Sequence, residues 1–223
     1  MPELEPIWLT ARLAAVTTVI LLTLGTPLAW WLAHTRTRIK PLIEALTAMP
    51  LVLPPTVMGF YLLVLLSPNS TLGGWWVEMT DTTLTFSFSG LVLASLLYSL
   101  PFMVQPLQQA FEAVGDKPLE AAATLGASAL DRFFTVAVPL SARGFLTAAI
   151  LTFVHTVGEF GVVLMVGGNI PGETRVVSIA IYEHVETLDY ASAHWLSGIL
   201  AAFALVVLVL VYSLNRQPWL RLR

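Results

Sequence analysis

Glu159 and His155 are the pair in this 223-residue chain whose types and spacing could do chemistry. They lie four apart in LTFVHTVGEFGVVLMVGG, an otherwise apolar stretch, so on a helix the imidazole and carboxylate share a face. Helical continuation would put Glu159 ~10 Å of rise before the run ends at Val166. A carboxylate at the centre of a membrane helix costs ~2.5–3.5 kcal/mol on insertion scales, so a residue of this kind is functional or paired. The pair could be a polar element of a translocation path, a seam between subunits, a proton relay, or a hydrogen bond that fixes helix packing. Gly158 and Gly161 beside it would allow another helix to come close. A second candidate is PLVLPP, where Pro50, Pro54 and Pro55 each remove a backbone donor and must kink or break their helix. Broken backbone inside a bilayer is tolerated against protein or a water-filled cavity, so Pro54 and Pro55 are grouped with His155, Gly158, Glu159 and Gly161 as pathway or seam residues. Pro101 and Pro106 raise the same issue in a third apolar run.

The elements that would position these residues are membrane helices. Of the chain, 57% is hydrophobic and 11% charged, and mean hydropathy is +0.79. That composition marks an all-α polytopic membrane protein. About five spans are expected, over 8–33, 42–66, 88–111, 139–166 and 191–213, all within one membrane domain, 1–223. The first run is too long for a signal-peptide core, and its leader carries Glu3 and Glu5 in place of bases, so it is read as a retained helix. Val176 to Val185 is too short to span and reads as a re-entrant or interfacial helix.

Arg36, Arg38 and Lys40 fall in the first loop, Lys117 and Arg132 in the third, and Arg216, Arg221 and Arg223 in the C-terminal tail. The other loops and the N-terminus are acidic, with Arg175 as their one Lys or Arg. The positive-inside rule puts the N-terminus outside and the third loop and C-terminus inside. That third loop, about 112–138, contains EAAATLGASALDRFFTVAVPL. Asp116 can cap its first helix, with Pro118 in the opening turn. Leu119, Ala122, Ala123, Gly126 and Leu130 share a face at helical spacing. Gly126 can end that helix, and Ser128 with Asp131 forms a capping box for a second. A small amphipathic helix with a low Ala/Gly face, exposed between spans, is shaped to dock into something.

Glu120-Ala121-Ala122, then Gly126, then Val136, Val138 and Pro139 resemble the EAA loop of ABC importer permeases. GEFG and NIPGETR, with PLVLPP, closely resemble the molybdate permeases of that family, and the resemblance runs through essentially the whole chain. It implies the type I ABC importer permease fold and a cytoplasmic coupling helix seated in the ATPase subunit. Glu120, Ala121, Ala122, Gly126 and Leu130 would carry that docking. It further implies a homodimer with two separate ATPase subunits, an external oxyanion-binding protein, and a bacterial or archaeal inner membrane. Asp189-Tyr190-Ala191-Ser192-Ala193 is also similar to the sulfate branch, so sulfate or tungstate stands as the alternative cargo. From another class, a proton-coupled secondary transporter using His155 and Glu159 remains open, although no internal repeat accompanies it.

Other chemistries are absent from the sequence. It has no cysteine, no G-x-x-x-x-G-K-[ST] phosphate loop, no nucleophile–base set, and no basic–aromatic stripe for nucleic acid. His34, His155, His184 and His194 have no metal-site spacing. No catalytic residue, metal or cofactor is expected.

Overall fold

A computed structural model describes residues 4–214. Glu3, Arg216, Arg221 and Arg223, used above for orientation, lie outside the described residues. Every regular element among them is helical.

Helix α1 (Glu5–His34) opens with Pro6 in its first turn and passes through Pro27. After Arg36 and Arg38, α2 (Lys40–Ala48) tightens into a 3₁₀ turn, Met49–Leu51. The chain then turns by 108° into α3 (Pro55–Leu66). The cause is local. A residue before proline is pushed to extended backbone, and Pro54, standing before Pro55, has φ −55° and ψ 139°. The span expected over 42–66 is therefore two helices.

Helix α4 (Thr71–Thr80) is capped by the Ser70 side chain, and α5 (Phe88–Val114) by that of Ser87. Pro101 and Pro106 do not interrupt α5. Next come α6 (Asp116–Thr124), α7 (Ala129–Arg132), a π-helical turn (Phe133–Ala137) and α8 (Val138–Leu140). A 72° bend separates the segment Ala129–Leu140 from α9 (Ala142–Val157). Helix α10 (Gly161–Gly167) follows a second break, so the span expected over 139–166 is not one continuous helix. The short segment expected near 176–185 is α11 (Val177–Glu186), and α12 (Tyr190–Leu214) closes the described chain. Among the described residues, three helices are long and apolar enough to cross a membrane, or up to five spans if each bent pair is one.

Helices α1, α5 and α9 form the centre. Leu32, Met103, Leu107 and Phe111 are fully buried at one end, and Leu13, Leu91, Val163 and Ile179 at the other. The two broken spans meet near their breaks. A Cβ on Gly161 would stand 2.8 Å from Cβ of Pro55, and one on Gly59 would stand 2.7 Å from Cβ of Met165. Glycine is needed at both positions because α3 and α10 approach almost backbone to backbone. Helix α12 keeps an apolar surface, including Leu205, Val206 and Val209, uncovered by the rest of the chain.

Overpacking this crossing has a measurable consequence. Gly59→Val and Gly161→Val are each expected to destabilise the fold by about 1–3 kcal/mol. Gly198→Val, where no atom lies within 4 Å of the added Cβ, should have no effect. Thermal unfolding of the three variants in detergent, followed by circular dichroism, checks this.

Candidate functional site: a buried polar cluster and an exposed helix pair

Glu159 lies in neither helix. Gly158 caps the C-terminus of α9, Phe160 (φ −132°, ψ −65°) precedes α10, and Glu159 sits between them. Its carboxylate side chain is 0% exposed. Ser95 Oγ donates to Oε2 at 2.6 Å and Ser99 Oγ to Oε1 at 2.7 Å, both from α5. The Glu159 backbone carbonyl accepts the Ser178 hydroxyl from α11. The peptide freed by the break is thus satisfied from a neighbouring element, as a bilayer interior requires.

His155 stands in the last turn of α9, with Nδ1 3.6 Å from Glu159 Oε1 and 2.9 Å from Ser99 Oγ. Thr156 Oγ1 also lies 2.9 Å from Ser99 Oγ. A serine hydroxyl has one proton and two lone pairs. If Ser99 gives its proton to Glu159, it accepts from His155 Nδ1–H and from Thr156 O–H. The order of donation runs His155 to Ser99 to Glu159, with hydrogens assigned from the geometry of the network. Phe102 stacks on the imidazole (centroids 3.9 Å apart, planes at 25°) and Tyr98 lies 5.0 Å away. Spacing alone pointed to His155 and Glu159 as a direct pair; the structure puts Ser99 between them as the shorter link. Ser95 and Ser99 were missed because a serine in an apolar helix carries no periodic signal.

The structure brings Pro55 against Gly161 and leaves Pro54 as the residue preceding α3. Gly158 makes room for no neighbouring helix: the nearest atoms to an added Cβ are carbonyl oxygens of α9 itself. Its place is the helix end.

The second site is the segment α6–α7. Gly115 (φ +68°) occupies the cap position of α6, and Asp116 is its first helical residue without a side-chain capping bond, contrary to the expectation. Helix α6 ends at Thr124, and Gly126 (φ +87°) reverses the chain in a conformation that favours glycine. Ser128 and Asp131 form the complete capping box. The Ser128 hydroxyl and amide hold the Asp131 carboxyl below the usual range. Glu120, Ala121, Gly126 and Leu130 are exposed and Ala122 is half-buried. Leu119 does not share their face: it is buried in the core beside Phe111 and Ala137. Leu125, 88% exposed, is the outermost apolar side chain of the segment and was not singled out from sequence.

Basic residues gather at this end. Lys40 Nζ lies 3.7 Å from both Glu44 and Glu112, and Gln108 bridges the same two carboxylates. Arg12, also missed, lies within α1 with its guanidinium 4.4 Å from the centre of the Phe88 ring.

Residues 25–217 match the family model of the binding-protein-dependent transport system inner membrane component. The chain belongs to that family. It is 58% identical over 214 residues to the molybdenum transport system permease protein ModB of Azotobacter vinelandii, covering 96% of this chain and 95% of the relative. It is 32% identical over 193 residues to the sulfate transport system permease protein CysT of Escherichia coli K12, covering 86% and 69%. Among solved structures, the crystal structure of a bacterial alginate ABC transporter in complex with its alginate-bound periplasmic protein matches with a TM-score of 0.76. That match is at 13% identity and covers 97% of this chain and 79% of the other, and it shows the fold. The chain is a multi-pass membrane permease with the type I ABC importer architecture.

Removing the carboxylate would strand the Ser95 hydroxyl in the interior and leave Ser99 with His155 and Thr156 alone. Glu159→Ala is expected to lose about 1–3 kcal/mol of stability for the buried donor left unpaired, and Glu159→Gln, which keeps the shape and one acceptor oxygen, a smaller amount. Unfolding temperatures in detergent report both.

Proposed function

We propose that this chain is the membrane-spanning subunit of an ATP-driven importer of molybdate. One observation carries the importer reading: the helix pair α6–α7, with a complete capping box on α7, displays Glu120, Ala121, Leu125 and Leu130 at the base-rich end of the membrane helices. Such a surface fits a groove on a separate ATPase subunit. The chain itself has no phosphate loop and is not an enzyme on this reading; another subunit hydrolyses ATP. The cargo rests on 58% identity to a relative named for molybdenum transport.

Two copies of the chain, two ATPase subunits and an external oxyanion-binding protein make up the working assembly. It sits in the cytoplasmic membrane of a bacterium or archaeon, N-terminus outside and C-terminus inside. The charge distribution supports that orientation. The coupling helix, Arg36, Arg38 and Lys40 lie at one end, and Glu78 in α4, with Asp81, Glu173 and Asp189 outside the helices, lie at the other. Closure of the ATPase subunits pulls the two coupling helices together, and the membrane helices switch the path between inward- and outward-facing states. Asp116, in the first turn of α6, adds a carboxylate where the helix dipole favours one, and Glu120 stands exposed in the middle of the helix. Gly126 provides the turn that lets Leu125 and Leu130 stand out on either side.

Pro54, Pro55, His155, Gly158, Glu159 and Gly161 form the deformable zone of the path or of the seam between the two copies. The breaks concentrate there, and Glu159 ties α5, α9 and α11 at one point. Few cationic side chains lie within the spans, so anion selectivity belongs mainly to the binding protein.

Gly126→Asp should abolish ATP-dependent uptake while leaving the protein inserted and folded, because it adds a charged side chain to the docking turn. Retained uptake in that variant removes the docking role from the turn. The cargo is tested in proteoliposomes holding the permease, its ATPase and the binding protein, with labelled molybdate challenged by tungstate and sulfate. Uptake that needs ATP and resists excess sulfate is expected. Sulfate competing on equal terms assigns the chain to the other branch, and uptake driven by a proton gradient without the ATPase overturns the importer reading.

A further inference from the structure

Between the exposed helix pair and the bilayer helices the chain passes through the π-helical turn Phe133–Ala137, where the Val138 amide reaches back five residues to the Phe133 carbonyl. Pro139, directly after it, has no N–H to continue the α-helical ladder. Single π-turns of this kind frequently mark functional positions. Here the turn separates two adjacent rings: Phe134 is 63% exposed, and Phe133 points into the protein.

Phe133 meets Trp30 of α1 edge to face, with ring centres 5.0 Å apart and planes at 80°. Trp30 stands at 90° to Phe111 of α5 at 5.0 Å, and Phe111 at 81° to Phe145 of α9 at 5.7 Å. Four rings from four elements thus form a chain of edge-to-face contacts, the preferred and directional geometry for aromatic pairs. The joint links the π-turn to all three central helices.

Two of those helices also hold the Glu159 cluster. Along α5, Ser99 lies twelve residues from Phe111, about 18 Å of helix rise; along α9, His155 lies ten residues from Phe145, about 15 Å. The aromatic joint and the buried polar cluster therefore sit toward opposite ends of the same rigid pair, with the break of the fourth span beside the cluster.

We propose that the Trp30–Phe111–Phe133–Phe145 joint transmits displacement of the coupling helix to the breaks in the membrane helices, with Phe133 as the positioning residue through which that displacement enters. This rests on the importer reading above and adds to it the place where force passes from the ATPase side into the bilayer.

The test uses the whole complex in proteoliposomes with loaded binding protein and measures anions imported per ATP hydrolysed. That ratio is indifferent to the amount of folded complex, so a merely structural role does not move it. Phe133→Ala is expected to keep hydrolysing ATP while the ratio falls at least ten-fold, and Phe133→Tyr, which keeps the ring, to stay within about three-fold of the parent. Trp30→Leu removes the same contact from the α1 side and should give the same loss, which covers the case of Phe133→Ala failing to assemble. A parental ratio in whichever of the two alanine and leucine variants assembles overturns the proposal, as does a ratio lost equally in Phe133→Tyr. The parent complex separates these results from failure of the underlying reading. Import of sulfate in place of molybdate overturns the cargo alone, and import without the ATPase overturns the importer reading itself.

Discussion

The constraint on which the rest of this structure depends is that a bilayer offers no water to a broken helix. The chain breaks two of its spans, at Pro54-Pro55 and at Gly158–Phe160, and each break exposes peptide groups that must find partners in protein. The solution is to bring the broken segments together. Pro55 packs on Gly161, Gly59 packs on Met165, and α11 folds back so that Ser178 reaches the Glu159 carbonyl. Two weak points become one zone that is packed and hydrogen-bonded while lacking the continuous helix that α1 and α5 keep through their internal prolines. A permease needs stiff elements and a place where they can change direction, and this arrangement separates the two.

The buried carboxylate follows from the same logic. An ionisable group inside the membrane survives only if its acceptors are used, and Glu159 uses them on two serines of α5 while His155 approaches through Ser99. The result is a short polar stitch between the unbroken α5 and the break that follows α9. It holds the break in register without a continuous helix. A cluster of small hydroxyls and one carboxylate can also exchange partners with little movement, which a core of interlocking leucines cannot do.

At the other end of the same helices the physics is reversed. Helices α6 and α7 protrude, stabilised locally by the capping box and by the Gly126 turn rather than by burial. Leu119 and Phe133 fasten them to the core of the membrane helices. An element attached at few points moves as a unit, and the aromatic contacts behind it decide which helices feel that motion.

Much of this was legible in the sequence. Hydropathy marked the membrane helices, prolines marked the first break, and the Ser128–Asp131 box and Gly126 turn were readable because capping is a local property of three or four residues. The charge distribution among the loops separated the two ends of the molecule for the same reason. Position 159 was legible as unusual, since a carboxylate in an apolar run is costly wherever the run folds. What the sequence could not contain was partnership. Ser95 and Ser99 lie some sixty residues from Glu159, Phe111 and Phe145 lie on different helices from Trp30, and Leu119 turned inward although its helical period placed it with the docking residues. The second break was also hidden, because Gly158 and Gly161 are compatible with a continuous membrane helix. Local backbone preference and transfer free energy are properties of residues taken in order, and they fixed which segments are helices and where polar groups would be strained. Which helix satisfies each strained group depends on three-dimensional packing, and only the tertiary structure decided that.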